Sequence, residues 1–137
     1  AHMIATTFDE QISQALGARD LAPLYALASS PELAYAISKR GVLLLARNRA
    51  TSFGKRNMRI NSISPGLIDT PMSRAEMVQQ PMMETMLKNP PLPRLALPQE
   101  VGKVAAFLCG PDASFITGTD ILVDGGVMTV GLDVVMD

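Results

Sequence analysis

With 137 residues, 47% of them apolar and 18% charged, the chain has the composition of a globular protein of about one domain rather than of a disordered one. A net charge of -1 without a long basic run gives no electrostatic reason to expect nucleic acid as a partner. The longest apolar stretches, such as residues 41–46, fall far short of the roughly 20 residues that span a bilayer, which argues against a membrane protein.

The single cysteine, Cys109, can form no internal disulfide. With no secretory leader pattern at the start, a cytoplasmic protein is expected, and Cys109 is expected to be packed in the core. No cluster of His, Cys, Asp or Glu has ligand spacing, so no metal is expected. Ala1-His2-Met3 has the look of a cloning remnant or an ordinary start, because nothing periodic begins until several residues later.

Thr7-Phe8-Asp9-Glu10 fits a capping box, predicting a helix from about Phe8 to Leu16 that Gly17 stops. A short helix over residues 21–27 follows. Ser30-Pro31 supplies an N-cap and a first helical residue for a long helix reaching about Phe53, with Gly54 placed to end it. Val42, Leu45, Ala46 and Ala50 mark its apolar stripe, and Arg40, Arg47 and Arg49 are expected to stay in water.

Residues 58–64 read as a strand closed by the sharp Pro65-Gly66 loop. Residues 71–89 are methionine-rich and interrupted at Pro81, which predicts two short helices. After the Pro90, Pro91, Pro93 loop, Pro98-Gln99-Glu100 starts a helix with Val101, Val104, Ala105 and Leu108 on one face, ended by Gly110-Pro111. Ile121-Leu122-Val123 is wholly apolar, as in a strand covered on both sides in a parallel sheet.

Two strands separated by helices predict parallel neighbours joined by a crossover. Two strands do not make an independently stable sheet, so the sequence reads as part of a larger doubly wound α/β domain.

The chemistry-bearing residues centre on the long helix. Tyr35 and Lys39 lie four apart, on one face and roughly 6 Å apart along the axis. An ammonium beside a phenol favours the phenolate, which moves a tyrosine toward usefulness as an acid/base near neutrality. The pair gains specificity from its company: Tyr35-Ala36-Ile37-Ser38-Lys39, then Arg59-Ile60-Asn61-Ser62-Ile63-Ser64-Pro65-Gly66-Leu67-Ile68-Asp69-Thr70-Pro71, then Asp124-Gly125-Gly126.

Together these motifs resemble the short-chain dehydrogenase/reductase family over roughly residues 33–128. The resemblance implies an α/β fold, the C-terminal part of a doubly wound Rossmann-like parallel sheet, with the N-terminal half absent from this chain. It implies NAD or NADP as cofactor and a small-molecule carbonyl or alcohol as substrate. Tyr35 would be the catalytic acid/base and would also contact the cofactor, and Lys39 would act in catalysis with it by binding the nicotinamide ribose and lowering the tyrosine pKa. Pro65, Gly66 and Ile68 would pack on the nicotinamide side, with the Ile68 backbone holding the carboxamide, and Thr70 would reach the carboxamide or the pyrophosphate. Met72, Met77, Met82, Met83 and Met86 fall where the family places its substrate-covering helices, and methionine suits an adaptable apolar pocket.

The sequence also departs from that pattern. The glycine-rich phosphate turn, the residue that selects NAD or NADP and the Asn-Ala-Gly motif are not present, and none of Ser13, Ser29 and Ser30 follows a strand in the manner of the family's catalytic serine. Residues 1–32 resemble the helical insertion of the 3α-hydroxysteroid dehydrogenase/carbonyl reductase branch, preceding residues 33–137 as the C-terminal half of the oxidoreductase domain. That likeness favours a steroid or carbonyl substrate over a ketoacyl one. Such a protein is expected to be a homo-oligomer through its last helix and strand, or to be completed by the N-terminal half, and these residues alone are expected to be inactive. The competing reading is a non-catalytic assembly module that pairs its sheet edge with another chain.

Overall fold

A computed structural model of the chain describes residues 8–79 and 82–129. The expectations for Ala1-His2-Met3, for Thr7 of the capping box and for Pro81 lie outside these residues. The order of elements is α1 (Asp9–Ala18), α2 (Ala22–Leu27), α3 (Pro31–Gly54), β1 (Ser62–Pro65), α4 (Pro71–Gln79), α5 (Met82–Lys88), α6 (Pro98–Cys109) and β2 (Asp120–Val123), with single 3-10 turns at Pro111–Ala113 and Val127–Thr129. The chain divides into two compact units, one holding residues up to Ser62 together with Ser114–Asp120, the other Ile63–Ala113 and the residues from Ile121 onward.

In the first unit, α3 begins where local chemistry directs it. The Ser30 hydroxyl accepts from the Leu33 backbone N–H at 3.2 Å, and Pro31 takes the first turn, where its missing N–H leaves no bond unmade. Helix α1 runs on through Gly17 to Ala18. Arg19 then adopts the left-handed conformation (φ 57°) expected of a glycine, its N–H returning to the Ala15 carbonyl. Gly17 is therefore not the stop: the helix ends where its carbonyls find partners, and the Asp20 N–H also reaches Ala15.

The core of this unit is Ile12, Ile37 and Leu44, with Phe8, Leu16, Leu24, Leu27 and Leu33 packed around it. This changes the buried face of α3. Ala46 is buried and Ala50 partly so, but Val42 and Leu45 are exposed, because α1 packs on the Leu33, Ile37 and Leu44 side. Arg47 is exposed as expected, whereas Arg40 is not left in water. Its guanidinium clamps Asp9 of α1 through two hydrogen bonds, at 2.7 and 2.6 Å, with its side chain only 16% exposed.

The Arg40 guanidinium hydrogen-bonded to Asp9 holds that carboxyl below its ordinary value. A carboxyl depressed in the folded state contributes stability that is fully present above the unfolded pKa of about 4 and is lost as pH falls through the folded value. Asp9→Asn is therefore expected to cost about 2 kcal/mol near neutrality, as for a hydrogen bond between charged groups. It should also flatten the acid limb of the stability curve. Urea unfolding of both proteins across the acid range checks this: an unchanged acid limb would mean that the clamp contributes no pH-dependent stability.

The strand expected over residues 58–64 is shorter and later. Residues 58–61 keep one backbone bond, from the Gly118 N–H to the Ile60 carbonyl at 2.7 Å, and side chains take the place of the rest of a ladder. The Ile60 N–H donates to the Thr117 hydroxyl at 3.2 Å, and the Asn61 amide donates to the Ile116 carbonyl at 2.9 Å. Ser62, buried, closes this unit by donating its hydroxyl to Asp120 at 2.6 Å.

Strands β1 and β2 pair in parallel. The Ser62 N–H donates to the Thr119 carbonyl in the first unit and the Gly66 N–H to the Val123 carbonyl in the second, with the sequence offset unchanged. β2 is less covered than its apolar run predicts, Leu122 being 42% exposed. In the second unit, α6 spans the expected residues, its buried face centred on Leu108. Glu100 takes the Leu97 N–H at 2.8 Å and both guanidinium nitrogens of Arg94, which with that backbone donor hold its carboxyl down to about 2. Cys109 is exposed, not packed, because it lies about 100° round α6 from Leu108, off the buried face. Among the described residues no helix is long and apolar enough to cross a membrane.

Candidate functional site

The sequence-predicted residues fall in two places, one in each unit. In the first, Tyr35 and Lys39 occupy successive turns of α3, and the Lys39 ammonium lies 5.3 Å from the centre of the Tyr35 ring, within cation–π range. Tyr35 is 64% exposed, and among the described residues its hydroxyl has no hydrogen-bond partner. The pair thus presents an open phenol with a cation beside it, on a helix whose opposite side is anchored by Ile37 and Leu44. The serines that precede it have structural work: Ser30 caps α3, and Ser13 accepts from the Asn48 amide at 3.1 Å.

The second place is the loop that leaves β1. Here Gly66 is dictated by close packing. A Cβ at this position would lie 2.6 Å from the Asp124 Cα and 2.9 Å from its carbonyl oxygen, both rigid backbone atoms. Asp124 in turn accepts from the N–H groups of Gly126 and Met128, each at 2.9 Å, so the Asp124-Gly125-Gly126 motif is a capped turn. Gly126 has φ +85° and Pro91 sits where its side chain would be, which explains why this motif ends in glycine. Pro65 is exposed at the end of the strand.

Beyond Gly66 the chain makes a single parallel bridge between Ile68 and Ala96, in which the Ala96 N–H donates to the Leu67 carbonyl at 2.9 Å and the Asp69 N–H to the Ala96 carbonyl at 2.8 Å. In such a bridge the N–H and C=O of the central residue, Ile68, point away from Ala96. Thr70 follows, half-buried, and is bonded to Ser73 in the first turn of α4. Asp69 is clamped by Arg74 of the same turn at 2.6 and 2.9 Å, and that guanidinium holds the Asp69 carboxyl below its ordinary value.

Sequence reasoning did not find Ser73 or Arg74. Both signals are local, a hydroxyl three residues after the N-capping threonine and a base five residues after an acid. The methionines of α4 and α5 divide: Met72 is 72% exposed, Met77 and Met86 are half-buried and Met83 is buried packing. A cavity of about 440 Å³ in this unit is lined by Leu67, Arg94, Ala96, Leu122 and Asp124, among others, and by neither Ile68 nor Thr70.

Parallel strands, a glycine loop at a carboxyl end and a Tyr/Lys pair on the helix that precedes the first strand define a protein of the doubly wound α/β class. The sequence profile of the family described as enoyl-(acyl carrier protein) reductase matches residues 22–128. The short-chain dehydrogenase/reductase bsc3 of Alternaria brassicicola is 44% identical over 97 residues, which cover 69% of this chain and 35% of that protein. The 3-alpha-hydroxysteroid dehydrogenase/carbonyl reductase of Comamonas testosteroni is 39% identical over 99 residues, covering 72% of this chain and 38% of that protein. Among solved structures, 4-hydroxyisoleucine dehydrogenase complexed with NADH is 33% identical with a TM-score of 0.63, covering 75% of this chain and 43% of that one.

The chain belongs to the short-chain dehydrogenase/reductase family. It spans well under half the length of these relatives.

Proposed function

We propose that these residues supply the acid/base group and the nicotinamide-side contacts of an NAD- or NADP-dependent oxidoreductase that interconverts an apolar carbonyl compound and its alcohol. The observation that carries this reading is the exposed Tyr35 hydroxyl, free of partners among the described residues, with the Lys39 ammonium 5.3 Å from its ring.

The donor set fits the polar parts of a nicotinamide nucleotide. Lys39 brings an ammonium with three donors, suited to ribose hydroxyls. The loop after β1 brings the outward Ile68 N–H, suited to a carboxamide oxygen, and the Thr70 hydroxyl, and loops at the carboxyl ends of parallel strands are where α/β sheets hold ligands. When bound, the cofactor supplies or accepts the hydride. The part of Tyr35 is to hold a proton at its hydroxyl oxygen, give it to the substrate oxygen in reduction and take it back in oxidation. Lys39 holds the ribose and keeps positive charge beside the phenol.

A steroid or another apolar carbonyl is favoured as substrate by the exposed Met72 and Val78 on α4. The same loop and helix would serve a ketoacyl substrate, so both belong in the assay. In the full chain that carries this sequence, NADH or NADPH is expected to be consumed only when a carbonyl compound is added, with cyclic and steroid ketones ahead of acyl thioesters. Absence of cofactor turnover with every carbonyl would sink the proposal and leave the assembly module as the better reading.

A further inference from the structure

Ser73 does more than complete a capping box with Thr70, because its hydroxyl also reaches back to two carbonyls of the preceding loop. Its hydroxyl reaches the Ile68 carbonyl and, at 3.0 Å, the Thr70 carbonyl. The same oxygen lies 3.1 Å from the Thr70 N–H nitrogen and 3.1 Å from the Thr70 hydroxyl, while the Ser73 N–H donates to that hydroxyl at 3.2 Å.

The hydrogens can be assigned by counting. A hydroxyl has one hydrogen and two lone pairs. The two carbonyls can only accept, so they take the Ser73 hydrogen, with Ile68 the nearer. The hydrogen between the two hydroxyls must then come from Thr70. Thr70 gives its hydrogen to Ser73 and one lone pair to the Ser73 N–H, which leaves a single lone pair facing outward.

We infer that Ser73 is a positioning residue for the loop after β1: it turns the Thr70 hydroxyl into an acceptor and ties down the Ile68 carbonyl, so that the loop presents one donor, the Ile68 N–H, and one acceptor, the Thr70 oxygen. That pair complements a primary carboxamide, whose oxygen accepts and whose NH2 donates. It does not complement a pyrophosphate, which only accepts. The inference rests on the nicotinamide reading above and decides between the two partners open to Thr70.

The test compares binding of NADH and its reduced 3-acetylpyridine analogue, which keeps the carbonyl oxygen but replaces the NH2 with a methyl group, to the full chain carrying this sequence. The unaltered protein is expected to favour NADH about tenfold, the worth of one hydrogen bond of this kind. Ser73→Ala frees the Thr70 hydroxyl to rotate, so the preference should fall to about threefold or less, and Ser73→Thr, which keeps the hydroxyl, should restore it. Thr70→Val should likewise weaken NADH and leave the analogue unaffected, giving a second readout should Ser73→Ala fold poorly. A Ser73→Ala protein that loses affinity for both ligands equally, or keeps the full preference, overturns the positioning role. If the unaltered protein binds neither ligand, the nicotinamide reading itself falls and takes this inference with it.

Discussion

Tyr35→Phe is expected to lower kcat/KM for carbonyl reduction by a factor of about 100 to 10,000, the range over which a positioned general acid contributes, or about 3–5 kcal/mol of transition-state stabilisation. The change removes one oxygen and nothing else. Tyr35 is 64% exposed and its hydroxyl has no partner among the described residues, so folding stability should move by a few tenths of a kcal/mol at most. Cofactor affinity should fall far less than kcat/KM, since Lys39 and the Ile68 N–H are untouched. Steady-state kinetics with NADH and NADPH, alongside thermal unfolding, separate these effects. Activity within about threefold of the parent would remove Tyr35 from the chemistry, and a parallel loss of stability would show that the ring packs where it is described as open.

Ile12→Ala carries the largest expected loss of stability, about 2–5 kcal/mol. Ile12 is fully buried, and its side chain closes the space between α1 and the Ile37 and Leu44 face of α3. Removing three carbons forfeits roughly 0.8 kcal/mol each in transfer energy, and the cavity left between two helices adds to it. The total is a sizeable part of the 5–15 kcal/mol that holds a typical domain together. Ile12→Val should cost only about 0.5–1.5 kcal/mol. Urea unfolding measures both variants. A cost for Ile12→Ala no larger than that for Ile12→Val would mean that α1 is not seated on α3 through this residue.

The two variants act on opposite faces of one helix. Ile12 holds the inner face of α3 in place, and Tyr35 presents the outer face to reactants. Together with the Asp9–Arg40 clamp, the packing explains what the helical segment before residue 33 does in this chain: it supplies the apolar surface that α3 needs in order to keep its Tyr35 and Lys39 face outward.

Much of this was legible in the sequence wherever the deciding interaction is local. Ser30-Pro31 starts α3 and Pro98 through Glu100 starts α6 because a cap bonds to residues three positions away. Tyr35 and Lys39 share a face because helical spacing alone puts them there. Gly66 and Gly126 announce tight turns, although only the structure shows that Asp124 and Pro91 are what they avoid. The Thr70–Ser73 box was equally local and went unread because its third residue is serine in place of the usual glutamate or glutamine.

What the sequence by itself determined is the α/β class, the order of its elements and the candidate residues on α3 and after β1, since period, caps and turn residues act over a few positions. What only the tertiary structure decided is which faces are used. Arg40 left the solvent because Asp9 lies across from it, Val42 and Leu45 stayed exposed because α1 docks elsewhere on α3, and residues 58–61 are not a strand because side chains of Thr117 and Asn61 took the place of all but one backbone bond of the ladder. Each of these depends on a partner 31 or more residues away in sequence or on the docking of a whole helix, and neither spacing nor propensity carries that information.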